Sequence, residues 1–336
     1  MFGHFGTLTL VGAMIWLSGC CSTPLTESMQ RFEFKQPHMG TLFTITLYAP
    51  DEVRARDGAD AAFAKIAAID RTMTDYDPDS ELMQLSRKPV GDPVTVSDAL
   101  FDILQQSQRV AELSDGAFDV TIGPVVRQWR RTRRTGTLPT PEALARVRAA
   151  VGWQKLKLDP GKQTVTLTVP GMQLDLGGIA KGYAADQALA VLKGQGVSRA
   201  LVAASGDIAV GEPPPGKRNW RVAVGKLDGK GDRPARILFL NHAAVSTSGD
   251  AEQFVEIEGK RYSHIIDPRT GVGLTERLQV TVIGRRATDT DAFATATSVL
   301  GVERGVALLE SQPDLEGIFV RTSGGVTKVF RSKRSH

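Results

Sequence analysis

Apolar and polar residues alternate through FEFKQPHMGTLFTITLYA (residues 32–49), the period of a half-buried strand pair. Between Asp57 and Met73 the period lengthens. This Ala-rich stretch carries apolar residues at helical spacing and predicts a long helix. Asp77-Pro78-Asp79-Ser80 breaks it, with Ser80 placed to cap a short helix holding Glu81 and Leu82. Ser97 to Ser114 predicts a second amphipathic helix, with Ser97 or Asp98 as its cap. GAFDVTIGPVV reads as a loop and a short apolar segment, and the arginine-rich stretch Arg127 to Arg134 as a solvated loop. Pro141 opens a further helix, ALARVRAAVG, which Gly152 closes. Strands follow near Leu156 and over Thr164 to Val169. A glycine-rich turn then leads into a helix from about Gly182 to Lys193, ending near Gly194 and Gly196.

The second half is mostly strand-like: RALVAASGDIAVG, NWRVAVGKL, ARILFLNHAAVSTSGD, QFVEIEGKRYSHIID and LQVTVIG, with EPPPGKR read as a hairpin loop. DTDAFATATSVLG predicts a helix with one small-residue face. No internal repeat or domain boundary stands out. Helices among mostly hairpin-connected strands imply an α+β fold: mixed, mostly antiparallel sheets with packed helices.

Composition adds limits. Of 336 residues, 41% are hydrophobic and 23% charged, which suits a globular chain. The net charge of +4 is too mild to imply nucleic acid by itself. Both cysteines, Cys20 and Cys21, are adjacent near the N-terminus, so disulfides within the body and Cys-based metal sites are excluded. FGTLTLVGAMIWLSGC is an apolar run too short to span a bilayer, and it ends in small residues like a signal peptide. Its ending, Leu17-Ser18-Gly19-Cys20, resembles the lipobox of bacterial lipoproteins, although the segment before the run has no Lys or Arg. Residues 1–19 are therefore assigned to a lipoprotein signal peptide, 20–30 to a tether lipidated at Cys20, and 31–332 to the folded body. Five arginines in eight residues would suit nucleic acid, but an exported chain meets little of it. A solvated stretch near anionic lipid is the plainer reading.

Candidate chemistry starts at LDLGGIAKGYAADQA, Leu174 to Ala188. A paired glycine and a lysine at a strand-to-helix turn suit an anionic ligand, because such turns present backbone N–H groups and the positive helix end. The spacing is neither a Walker A loop nor a dinucleotide fingerprint. Other polar clusters are Asp119 in GAFDVTIGP, STSGDAEQ with YSHIIDPRTG, and Asp289 and Asp291 in ATDTDAFATATS. Each has a plainer reading: Asp119 as a turn cap, Asp267-Pro268 as an ordinary turn, Asp289 as a helix cap, His264 as a packed core residue. Asp291 and Thr295 are four apart, so on a helix they share a face.

In order and spacing, MGTLFTITLYA, DYDPDSELMQLS, GAFDVTIGPVV, LDLGGIAKGYAAD, SGDIAVG, STSGDAEQF, SHIIDPRTG and TDTDAFATATSVLG resemble the FAD:protein FMN transferases, the ApbE family of exported bacterial flavin-transfer lipoproteins. The resemblance covers about Arg31 to Val329 and implies a single two-lobed catalytic unit. It implies Mg²⁺ held by the Gly178 carbonyl, the Asp291 carboxylate and the Thr295 hydroxyl, oxygen donors suited to a hard cation. It implies flavin-site positions at Met39, Tyr76, Ala117, Phe118, Asp119, Asp175, Lys181 and Ile265. Some family members carry an acidic residue in place of Lys181. It also implies a reaction in which an acceptor threonine hydroxyl attacks the FMN-side phosphorus of FAD, the substrate, and AMP leaves. His264, with an unperturbed pKa of about 6.5, is the candidate base, and Asp267 would orient it or act instead. Implied acceptors are flavoprotein subunits of membrane electron-transfer complexes, such as sodium-pumping quinone reductases and Rnf-type complexes. The implied location is the cell envelope, lipid-anchored and facing the periplasm. Two rivals remain at this point: an Mg²⁺-dependent FAD pyrophosphatase, and a non-catalytic FAD-binding lipoprotein.

Overall fold

A computed structural model describes residues 1–3, 28–225, 227, 236–249 and 254–333. Most of the expected signal segment, Cys20 and most of the tether lie outside the described residues, as do Asp250 to Gln253 of STSGDAEQ. The alternating stretch is a hairpin of β1 (Gln30–His38) and β2 (Thr41–Ala49). Next comes α1 (Glu52–Met73), which starts earlier than its apolar spacing suggested because Asp51 accepts from the Arg54 N–H as N-cap. Ser80 caps α2 (Glu81–Leu85) as expected. After β3 (Val94–Thr95), Ser97 rather than Asp98 caps α3 (Asp98–Leu113).

Arg127 to Arg134 is not a loop. It lies in α4 (Gly123–Thr135), whose Val125, Trp129 and Thr132 recur at helical spacing and are buried. Pro124 sits in its first turn, and Gly136, at φ 67°, closes it in the left-handed conformation. Then come α5 (Pro141–Arg148), β4 (Leu156–Asp159), β5 (Thr164–Leu167) and α6 (Ala180–Gly194). The second half supplies β6 (Ala200–Ala204), β7 (Asp207–Val210), β8 (Trp220–Val224), β9 (Arg236–Leu240) and β10 (Ala243–Gly249). It continues with β11 (Phe254–Ile257), β12 (Lys260–Ser263), β13 (Ile266–Asp267), β14 (Val272–Gly273) and β15 (Arg277–Gly284). The chain closes with α7 (Ala287–Glu310), β16 (Glu316–Ser323) and β17 (Val326–Arg331).

Eight strands form the main sheet in the order β1-β2-β6-β7-β10-β15-β16-β17, every pair antiparallel. The fold is α+β with mostly antiparallel sheets, as expected. EPPPGKR does not join a hairpin: β7 pairs with β6 and β10, while β8 pairs with β9 in a separate two-stranded sheet. The segment instead carries the chain off the main sheet.

The main core lies between that sheet and α1, α6 and α7. Phe43, Ile45 and Leu47 alternate inward from β2 toward α1, whose Ala55, Ala59, Ala62 and Ile66 are buried. Small residues bring the helices together. A Cβ on Gly182 of α6 would stand 2.1 Å from the Ala287 carbonyl oxygen of α7. By length and composition α7 could span a bilayer, but most of it is buried against β10, β15 and α6. Smaller apolar clusters form around Trp129 with Tyr262, around Trp220 with Val245, and around Ala117 with Ile265.

Candidate active site

The main core and the three smaller clusters all contribute walls to one open cavity of about 1060 Å³. The glycine-rich turn forms part of its floor. There the Asp175 N–H donates to the Val120 carbonyl at 2.8 Å, and the Asp175 carboxylate accepts from the Gly177 N–H at 2.9 Å. The start of α6 is not a bare anion cradle. The Asp291 carboxylate already accepts from the Gly182 N–H at 3.0 Å, so the positive helix end is matched by a side chain from α7.

Asp291 belongs to a charged cluster. The Lys181 ammonium lies 2.6 Å from Asp207 and 3.7 Å from Asp291, and these carboxyls are only 4% and 5% exposed. Burial works against the ammonium, but the Asp207 and Asp291 charges outweigh it and hold Lys181 above the usual lysine range. Burial, then the Asp207 charge, push the Asp291 carboxyl well above the usual carboxylate range, against the pull of Lys181. A cation would reverse that push. Thr295 lies one turn along α7, and its hydroxyl oxygen would be 3.1 Å from a Cβ on Gly178, which places the Gly178 backbone against Thr295. Among the described residues no three His, Cys, Asp or Glu side chains group as a metal cluster. The donors available are one carboxylate, one hydroxyl and one backbone carbonyl. They fit a small oxygen-seeking cation, and the absent Gly178 side chain keeps the approach clear.

The other expected positions line the same cavity. Met39 sits at the β1–β2 turn with φ 50°, held there by its N–H donating to Asp70 at 2.9 Å. Ala117 and Phe118 are buried in the cavity wall. Asp119 lines the cavity, but one carboxylate oxygen accepts from both the N–H and the hydroxyl of Thr121, at 2.8 and 2.7 Å. Its carboxyl is pushed up by burial, with Thr121 pulling it back. Asp119 therefore holds its own loop as well as lining the cavity. Asp175 is also pushed up, by burial and then by the charge of Asp75.

Tyr76 is 78% exposed at the cavity mouth, and the Arg130 guanidinium lies 4.3 Å from its ring centroid. Arg130 pairs with Asp75 and reaches Asp175 at 3.4 Å. Sequence reading missed Asp75, Arg130 and Asp207. For Asp207 a signal existed in SGDIAVG, while Arg130 was hidden in an arginine run read as loop.

His264 and Ile265 lie between β12 and β13 and line the cavity. Their loop is held by the Ile265 N–H donating to the Ser263 hydroxyl at 3.1 Å and by the Leu274 N–H donating to the Ile265 carbonyl at 2.8 Å. Asp267 is placed differently. Arg269 engages both its carboxylate oxygens at 2.9 Å, and Asp267 is not among the cavity-lining residues. Of the two base candidates, only His264 faces the cavity.

A sequence profile described as the ApbE family matches residues 39–319. An FAD:protein FMN transferase of Klebsiella pneumoniae is 33% identical, covering 92% of this chain and 90% of that protein. The protein of the same name from Salmonella typhimurium is 32% identical, with 88% and 86% covered. Among solved structures, the flavin transferase ApbE from Vibrio cholerae superposes with a TM-score of 0.82 at 29% identity, covering 91% of this chain and 98% of that one. The apo form of the Pseudomonas stutzeri flavinyl transferase gives 0.79 at 30% identity, with 91% and 95% covered.

Proposed function

This chain belongs to the ApbE family, and from that premise we propose how its cavity carries FMN from FAD onto an acceptor protein. The observation that carries the proposal is a single cavity lined by the oxygen donors at Gly178, Asp291 and Thr295, by His264, and by the apolar surface of Met39 and Phe118.

The acceptor nucleophile is a threonine hydroxyl. Its oxygen bonds to the FMN-side phosphorus, the bond from that phosphorus to the bridging oxygen breaks, and AMP departs with the bridging oxygen. The hydroxyl proton passes to His264, the ring that faces the cavity. Phe118 and Met39 offer apolar surface to the flavin, and Tyr76 offers a flat one at the mouth. Lys181 holds Asp207 and Asp291 in place. Mg²⁺ held by Gly178, Asp291 and Thr295 would neutralise negative charge on the diphosphate. Positioning the hydroxyl in line with the breaking bond supplies much of the remaining rate.

A mixture of protein, FAD, MgCl₂ and an acceptor flavoprotein domain tests the proposal. AMP should appear in step with a covalently fluorescent acceptor band on a denaturing gel. AMP and free FMN without a labelled acceptor would make the chain a pyrophosphatase, and no AMP at all a binder. The acceptors in the cell are flavin subunits of membrane electron-transfer complexes. Cys20 anchors the protein by lipid on the periplasmic side of the envelope, as Leu17-Ser18-Gly19-Cys20 suggests. Cys20→Ala should release it from the membrane fraction. Continued membrane fractionation with incorporation of labelled lipid would defeat the lipid assignment.

A further inference from the structure

Helix α4 carries Arg127, Arg130, Arg131, Arg133 and Arg134 and no carboxylate. Its apolar side is used within the protein, through Val125 and Trp129. Arg130 is engaged by Asp75 and Asp175. Among the described residues the other four form no ion pair, and Arg127 reaches only the Met83 sulfur. All four are exposed. Arg133 lines the cavity beside Arg130, so the row of guanidinium groups runs from the cavity wall out onto the surface. Helix polarity accounts for Arg133 and Arg134, which lie in the last turn near the negative helix end. It does not account for Arg127 and Arg131, like charges one turn apart in the middle of the helix, where they repel.

We propose that the outward side of α4 is the docking surface for an acidic segment of the acceptor polypeptide, next to the hydroxyl that receives FMN. The inference rests on the transferase reading. That reaction requires a macromolecule at the mouth, because the hydroxyl reaches the phosphorus only if the polypeptide flanking it lies on the cavity rim. Along α4 that rim is arginine, whose planar fork pairs with carboxylates in two-point contacts. An anionic bilayer would answer the same charge. However, the exposed positions of α4 are Arg127, Arg131, Arg133, Arg134 and Thr135, with no apolar side chain to enter a membrane interface.

The probe is a soluble flavoprotein domain that the wild-type chain labels, together with a copy whose carboxylates flanking the modified hydroxyl are changed to amides. In the full-length chain, Arg131→Glu with Arg134→Glu should lower kcat/KM for the acceptor by about 10- to 100-fold. FAD affinity and the melting temperature should stay unchanged. Added salt should lower the wild-type kcat/KM and leave that of the variant nearly flat. The amide copy should be a poor acceptor for the wild type and lose little more with the variant. If the double reversal fails to fold, the single Arg131→Gln and the wild-type salt dependence carry the same comparison. Wild-type kcat/KM in a folded variant overturns the proposal. So does loss of binding to phosphatidylglycerol vesicles with acceptor kinetics untouched, which would assign the helix to lipid. A wild type that cleaves FAD but labels no acceptor overturns the transferase reading itself, and the docking surface with it.

Discussion

Asp186 sits outside the chemistry and holds it in place. Its carboxylate accepts from the Ala287 N–H at 2.9 Å and from the N–H and hydroxyl of Thr288 at 2.9 and 2.6 Å, fastening α6 to the first turn of the helix that carries Asp291 and Thr295. Asp186→Ala leaves those buried donors unmet and should cost about 1–3 kcal/mol, read as a lower melting temperature. Burial lifts the Asp186 carboxyl above its ordinary 3.8, with the Thr288 bonds opposing. A raised folded value means that the stability it contributes is present below the unfolded value and is lost as pH rises through the folded one. The stability gap between wild type and Asp186→Asn should therefore close as pH climbs from near 3.8 through the raised value. Urea unfolding at stepped pH reads this, and a gap that widened would contradict the sign. At His264, replacement by Ala should slow single-turnover transfer by about 10²–10⁴ while FAD still binds. Asp267→Asn should change it little, because Arg269 holds that carboxylate outside the cavity. The reverse ranking would reassign the base. At this scale the shared helix face of Asp291 and Thr295 was legible, since a four-residue spacing on a helix needs no tertiary information, while their part in a metal site came from the resemblance. For Asp207 the motif SGDIAVG was visible but its role was not, because that role comes from Lys181, 26 residues away on another element.

Among the elements, α6 and α7 define the tolerance of the site. Gly182→Ala would place a methyl 2.1 Å from the Ala287 carbonyl oxygen and 2.8 Å from the Asp291 Cβ, so the helices must part. The expected cost is about 1–3 kcal/mol or more, with transfer falling further than stability because Asp291 moves. Gly301 makes the contrast. It kinks α7 at φ 75°, yet a Cβ there would meet nothing nearer than Glu276 at 3.8 Å. Gly301→Ala should cost about 1–3 kcal/mol of backbone strain and leave transfer by the folded protein intact. Melting temperature and activity measured on both variants separate the two effects, and equal activity losses would undo the distinction. The misreading of α4 has a cause of the same kind. Its charge drew attention, while the evidence for helix lay in three inward positions, Val125, Trp129 and Thr132, and in Gly136 beyond them. EPPPGKR looked like a hairpin because local turn residues do not reveal which sheet the next strand joins.

Over the whole molecule, the fold class was legible because alternating strands and amphipathic helices leave local traces, while strand order does not. In the order β7-β10-β15, α7 packs across all three strands. The cavity depends on that order. Its walls come from the β1–β2 turn, the stretch around Phe118, the turn before α6, the loop at His264 and the first half of α7. Parts so far apart in the chain meet only when the long-range pairing is complete, the slow part of folding for such topologies. On dilution from denaturant, FMN transfer should return at the rate of the final tryptophan fluorescence change and not with early helix formation. Activity that ran ahead of it would point to a separately folding catalytic half. The same wiring acts as a timing lock. A nascent or unfolded chain carries every motif and no catalyst, so it cannot act on FAD until its last strands have paired.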